Sequence, residues 1–317
     1  MPKSELERSR LCYNKNNMDI LNYAKNVEKM VNPMEVGRAH YMQTKLRRLP
    51  VSWQRKIVKK ATKKADKMPF VVEPYCSFLF YELLKPEEIQ KFLPDGFVPT
   101  KSSVFEGDAA KYYGIVSMFR IHTSVFWGAR AEFYLMAENA KTGLLSWVMM
   151  DYISDTISYD ERNGLKSPDA KAAVMTTTCE GDFVCDMTSL DGKKYVKCEA
   201  NLEKAKMRKL NQRLWIEGNT SIAYGRLAGE EDGDLFSLTF FPEEMSRALD
   251  IPLSVVRVAE AKTMRAKFTV RLDRVVSFPY AQHMLSDSPG NQTAYGSEAE
   301  LRKAVEAVDF SKLKLFR

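Results

Sequence analysis

From Phe70 to Val276 the chain is written in short apolar runs, each ended by Gly, Pro, Asn or Asp, and the runs recur every 8–15 residues. Such runs are too short for core helices and suit strands, so this rhythm calls for many strands joined by tight turns. The architecture that buries them is an antiparallel barrel or sandwich. Strands are expected over 70–72, 77–84, 112–122, 131–137, 144–152, 174–178, 183–188, 194–201, 222–227, 235–240 and 263–276. Asp191-Gly192 predicts a hairpin, and Lys141-Thr142-Gly143 marks another turn. Pro86 opens a short helix over 86–92.

The two ends read differently. Met18, Leu21, Tyr23, Val27 and Met30 recur at helical spacing, and Asn32-Pro33 stops them. Val51, Trp53, Ile57 and Ala61 form a second, weaker stripe. A further helix is expected over 298–308. The division is therefore a helical N-terminal extension (1–68), a β domain (69–285) and a C-terminal tail with a short helix (286–317). The fold class is α+β, mainly β.

Hydrophobic residues make up 45% of the 317, enough for a packed core and against disorder. The net charge of +7 is local, because residues 41–67 hold ten Lys/Arg against one acid. The basicity belongs to that segment and says nothing about the substrate of the β domain. With Trp53 as its one aromatic beyond Tyr41, the segment lacks the interleaved rings of base-stacking modules, so no specific nucleic acid is expected. Five cysteines at wide spacing and three histidines form no CxxC or HxxxH pattern, so reduced, mostly buried thiols are expected and a metal site is not. No apolar run approaches the ~20 residues of a membrane span, and the polar start lacks the core of a signal peptide. The expected location is cytoplasmic.

The chemistry-bearing feature is Glu132 in the run Ala129–Leu135, ARAEFYL. A carboxylate among apolar strand residues is costly unless paired or neutral. Alternation puts Arg130, Glu132 and Tyr134 on one face and Ala131, Phe133 and Leu135 on the other. Glu132 is either an inward acid/base group or a structural partner of Arg120, Arg130 or Arg162. Glu217, in RLWIEGNT, is a second carboxylate near apolar residues. Tyr152, Tyr159, Trp147 and Trp215 either line a cavity or belong to the core.

The order of these features resembles the acetoacetate decarboxylase superfamily. An acid-bearing strand is followed by a Gly turn, an aromatic strand and a loop holding Arg162, Gly164 and Pro168. KPEEIQKFLPDGF (residues 85–97) is similar to the family's P-E-x-L-x-x-x-L-P helix. The resemblance runs from about Pro69 to Met284 and implies a cone-like antiparallel β-barrel. It implies a glutamate at Glu132, a loop arginine at Arg162 and a loop proline at Pro168. In that register Asp169 and Ala170 occupy the paired lysine positions, and the family's active-site arginine falls at Glu82 or Leu83. Lys166 and Lys171 lie nearby, out of register. An aspartate forms no imine, so Schiff-base decarboxylation is not implied.

The expected activity is lyase-like, on a small oxo-acid or enolisable carbonyl compound. Candidate catalytic residues are Glu132, Arg162, Lys166 and Asp169. Candidate substrate contacts are Tyr152, Trp147 and Glu217. No cofactor is expected, the partner is a small-molecule substrate or ligand, and a homo-oligomer is left open. The alternative is a barrel that binds a small molecule without catalysis.

Overall fold

The computed structural model describes residues 20–31, 41, 45, 48–50, 52–53, 56, 67–123, 126–158, 169–228, 233–262, 268–287 and 290–313. Arg162, Lys166, Pro168, Tyr159 and most of the basic segment lie outside these residues. In chain order the first strands are β1 (Lys67–Val72), β2 (Cys76–Leu83), β3 (Phe97–Pro99), β4 (Tyr113–Thr123), β5 (Phe126–Asn139) and β6 (Leu145–Ser154). They are followed by β7 (Ile157–Ser158), β8 (Ala170–Thr177), β9 (Asp182–Ser189), β10 (Tyr195–Asn201), β11 (Lys206–Lys209) and β12 (Ile222–Tyr224). The last six are β13 (Leu235–Phe236), β14 (Leu238–Thr239), β15 (Arg247–Ile251), β16 (Val256–Lys262), β17 (Val270–Phe278) and β18 (Gln282–Asp287). Pro86–Phe92 forms a 3-10 helix, α1 spans residues 20–30 and α2 is Glu298–Glu306.

The fold is mainly β. Among the described residues, fourteen strands form one sheet whose central path is β11-β15-β17-β2-β4-β5-β6-β12-β13, and β16-β10-β9-β8 form a second. The pairs are antiparallel except β12 with β6. The described pairings leave the path open between β11 and β13, so they do not close a barrel. The long central strands match the apolar runs. Strands β11, β15 and β18, with sequences KMRK, RALDI and QHMLSD, carry too few consecutive apolar residues to be read from sequence. Of the strand expected over 263–276, residues 263–267 lie outside the described residues; strand β17 begins at Val270 rather than at residue 268 or 269, and β16 ends at Lys262.

Strand β4 organises the large sheet. One of its edges pairs with β5, while the other is shared by β2 at residues 113–118 and by β1 at 121–123. Between β1 and β2 the chain turns a corner at Tyr75, whose φ of 68° is in the left-handed region, unusual for a residue with a Cβ. The Tyr75 amide donates to the Phe278 carbonyl at 2.6 Å, which holds that corner against β17.

Register fixes what each face carries. One rung runs Phe78–Ser117–Glu132–Tyr152 across β2, β4, β5 and β6. Phe78 on this face packs edge-on with Trp147, Trp215 and Phe278, forming an aromatic core. The neighbouring rung, Leu79–Val116–Phe133–Asp151, faces the other way. Phe183, Cys185, Met187, Val196 and Cys198 of the second sheet are buried in the same hydrophobic cluster as Val116 and Phe133. The ends of the chain join this cluster too. Tyr23 and Val27 of α1, and Leu301 and Val305 of α2, are buried in it. No helix of the described residues is long and apolar enough to cross a membrane.

Candidate functional site

Glu132 points into the aromatic side of the large sheet. The alternation expected of ARAEFYL is what places it there, together with Arg130 and Tyr134. Among the described residues the partner is Arg130, whose Nε donates to Glu132 Oε1 at 2.7 Å; Arg162 lies outside them. Arg130 Nη2 lies 2.5 Å from the same oxygen. The Tyr134 hydroxyl donates to Oε2 in a short hydrogen bond. Arg120 pairs with Glu73 instead, at 3.2 Å.

The surroundings are dry. Arg130 is 1% exposed and Glu132 7%. The guanidinium carbon of Arg130 sits 4.6 Å from the centre of the Tyr152 ring, a cation–π contact that uses the ring face next to Glu132 on β6. Burial pulls the Arg130 pKa down, but the Glu132 charge and hydrogen bond more than offset this and leave it raised, so the guanidinium stays charged. Burial, then the Glu132 charge, pushes the Tyr134 phenol and the Cys76 thiol well up, so both keep their protons. Cys76 is therefore a neutral neighbour and not a thiolate nucleophile.

Buried polar atoms of this cluster without a hydrogen-bond partner among the described residues include Arg130 Nη1 and Ser117 Oγ. Ser117 is the direct cross-strand partner of Glu132. A buried donor without an acceptor costs about 1–3 kcal/mol, so native structures rarely keep one without a reason. Glu132 itself has lone pairs in reserve, because a carboxylate accepts at about four sites.

The other expected residues divide. Tyr152 belongs to the cluster through Arg130. Trp147 is core: it packs edge-on with Phe78, Tyr134 and Trp215, and its Nε1 donates to the Leu214 carbonyl at 3.2 Å. Glu217 accepts from the Leu145 amide at 2.8 Å and pairs with Arg213 at 3.5 Å. Leu145 starts β6, seven residues from Tyr152, or roughly 23 Å along a strand. Glu217 is thus held far from Glu132 and ties down a strand end, so the two do not form one acid/base pair.

Asp169 also stands apart. Its Oδ1 accepts from the Ser154 amide at 2.8 Å and its Oδ2 from Lys194 Nζ at 3.3 Å. Lys194 further donates to Asp151 at 2.9 Å and to the Tyr152 carbonyl at 2.8 Å. All three of its N–H bonds are engaged. Burial lowers its pKa, but Asp151 and Asp169 outweigh that and leave it raised, the reverse of what an imine-forming lysine needs. Sequence reasoning did not single out Lys194, because the two aspartates that fix it, Asp151 and Asp169, come from other parts of the chain.

Asp169, Asp151 and Lys194 line a cleft of about 1250 Å³ between the two sheets. Glu132 is not among its lining residues. Strand β5 therefore serves both the interior polar cluster, through Arg130 and Glu132, and the cleft, through Phe133 and Leu135, and Tyr134 touches both.

The chain's fold is similar to two solved structures of acetoacetate decarboxylases. One, from Legionella pneumophila, is 12% identical and aligns over 71% of this chain and 87% of its own with a TM-score of 0.45. The other is 11% identical and aligns over 74% and 91% with a TM-score of 0.35. No protein-family model and no curated protein matches the sequence.

Proposed function

We propose that the protein is a lyase-like enzyme acting on a small enolisable carbonyl compound or oxo-acid at the Arg130–Glu132–Tyr134 cluster. The observation that carries this reading is a carboxyl group and a guanidinium buried together, with Arg130 Nη1 lacking an acceptor of its own among the described residues.

The cluster's composition suits enolate chemistry. Glu132 accepts the proton from the carbon next to the carbonyl. The electron pair of that C–H bond becomes the new C=C bond, and the carbonyl π pair moves onto oxygen. The charge that develops there is met by Arg130 Nη1, a donor already in position. A low-dielectric surrounding strengthens that interaction. Tyr134, protonated and bonded to Glu132, holds the carboxylate in place while the proton moves. The raised pKa and three engaged hydrogens of Lys194 support a route without a covalent amine. Asp169, bonded to Lys194 and to the Ser154 amide, is a strut of this arrangement.

The test is hydrogen–deuterium exchange at the α-carbon of pyruvate, 2-oxobutyrate and acetone in D2O, followed by proton NMR. Wild-type protein exchanges at least one of them, and Glu132→Gln, folded by circular dichroism, loses about 100-fold or more in rate. A wild-type protein that exchanges none of the three, or a Glu132→Gln variant as fast as wild type, refutes the assignment.

A further inference from the structure

The cleft between the sheets shares Tyr134 with the Glu132 cluster but is not lined by Glu132 or Arg130, and it has its own chemistry. Its volume of about 1250 Å³ exceeds the roughly 300–1,000 Å³ of most small-molecule sites. Its floor is the outward face of the large sheet, where Leu83, Leu135 and Val270 lie side by side on β2, β5 and β17. Val270 is 42% exposed, and two further lining residues, Leu190 and Leu227, are 64% and 38% exposed. Large aliphatic side chains left in water around one concavity mark a surface that something apolar covers.

The charges of the lining are not balanced in their pairing. Its three carboxylates are all engaged: Asp151 and Asp169 by Lys194, and Asp191 by Lys193 at 3.4 Å and by Ser189. Lys262 has no acidic partner among the described residues, and the Tyr195 hydroxyl has no hydrogen-bond partner among them. These two residues are direct antiparallel partners on β16 and β10. Directly opposed residues have Cβ atoms about 5 Å apart on one face of the sheet. A cation and a hydroxyl donor thus stand side by side at one end of an apolar floor, both lining the cleft.

We infer that this cleft binds an amphipathic monocarboxylate. The carboxylate accepts from Lys262 Nζ and the Tyr195 hydroxyl, and the hydrocarbon chain lies over Leu83, Leu135 and Val270. An amine headgroup is disfavoured because no carboxylate of the lining is left unengaged to receive it. A neutral alcohol gains the floor but not the charge-assisted hydrogen bond.

Isothermal titration calorimetry of the full chain with decanoate, decanol and decylamine tests this. Decanoate binds saturably, and decanol binds about tenfold or more weakly. Lys262→Glu, an exposed substitution that leaves the melting temperature unchanged, weakens decanoate about tenfold or more and leaves decanol as it was. Tyr195→Phe weakens decanoate severalfold. Val270→Asp weakens decanoate and decanol alike. The proposal is overturned if decylamine binds as tightly as decanoate, if decanol equals it, if Lys262→Glu leaves decanoate affinity unchanged, or if no decanoate binds at millimolar concentration.

Discussion

Replacing Glu132 by Leu removes the carboxylate that pairs with a guanidinium only 1% exposed. At the 2.7 Å separation of the pair, the attraction is about 6 kcal/mol with an effective dielectric constant near 20. Desolvation of the two ions is several kcal/mol each, so the intact pair contributes little net stability. The variant is another matter. It keeps the buried Arg130 charge, loses the compensation, and strands the Tyr134 hydroxyl as well. The expected loss is about 3–5 kcal/mol. The double variant Arg130→Met with Glu132→Leu removes both ions and leaves side chains of similar volume, so its loss is only about 1–2 kcal/mol. The two substitutions are therefore strongly coupled, by about 3 kcal/mol or more in the cycle completed with Arg130→Met. Urea unfolding followed by tryptophan fluorescence measures all four proteins. A Glu132→Leu loss below about 1 kcal/mol, or a double variant that equals the sum of the singles, would show that the pair is hydrated and that the dry site described above does not exist.

Two further outcomes are expected. His283 Nδ1 bonds Glu244 at 2.7 Å and its Nε2 meets Glu28 of α1 at 3.3 Å; burial lowers its pKa, but Glu244 and Glu28 more than compensate and leave it raised above 6.5. Its contribution to docking α1 is then complete below about pH 6.5 and fades as pH rises through the raised value, so amide protection in residues 20–30, normalised for intrinsic exchange rates, falls between pH 6 and 9 in wild type but not in His283→Gln, and a flat wild-type profile would contradict this. Gly218→Ala places a methyl carbon on the indole of Trp147, which is wedged among Phe78, Tyr134 and Trp215; a loss on the order of 3 kcal/mol and a shifted tryptophan emission are expected, and an unchanged urea midpoint would mean that the ring has room to move.

Much of the fold was legible because a strand's face is set by its own residues. The alternation of ARAEFYL alone grouped Arg130, Glu132 and Tyr134, and Asp191-Gly192 turns the β9–β10 hairpin with Gly192 at a φ of 67°. The choice among three arginines for Glu132 was not legible, since Arg130 and Arg120 are both strand residues of suitable reach and only register separates them. The position of Glu217 was missed because its neighbours in sequence, Leu214, Trp215 and Ile216, are buried while its own carboxylate turns to a strand end. The setting of Lys194, and the pairing of Tyr195 with Lys262, depend on contacts between segments 25 or more residues apart. Local patterns carry no record of these.

The pairing of β1 with β18 has a consequence for how the molecule is made. Residues 67–72 bond to residues 282–287, with Val72 opposite Gln282 and Lys67 opposite Asp287. A ribosome adding roughly 5–20 residues per second needs about 10–40 s to travel from one strand to the other. Once β4 has been made, and until β18 follows, Phe70, Val71 and Val72 have β4 on one side, at Ile121–Thr123, and not yet β18 on the other. A nascent chain with such an edge is open to pairing with its neighbours on the same messenger. Slow decoding of codons between β4 and β18 would therefore lower the soluble yield, and a holdase that covers β1 would restore it.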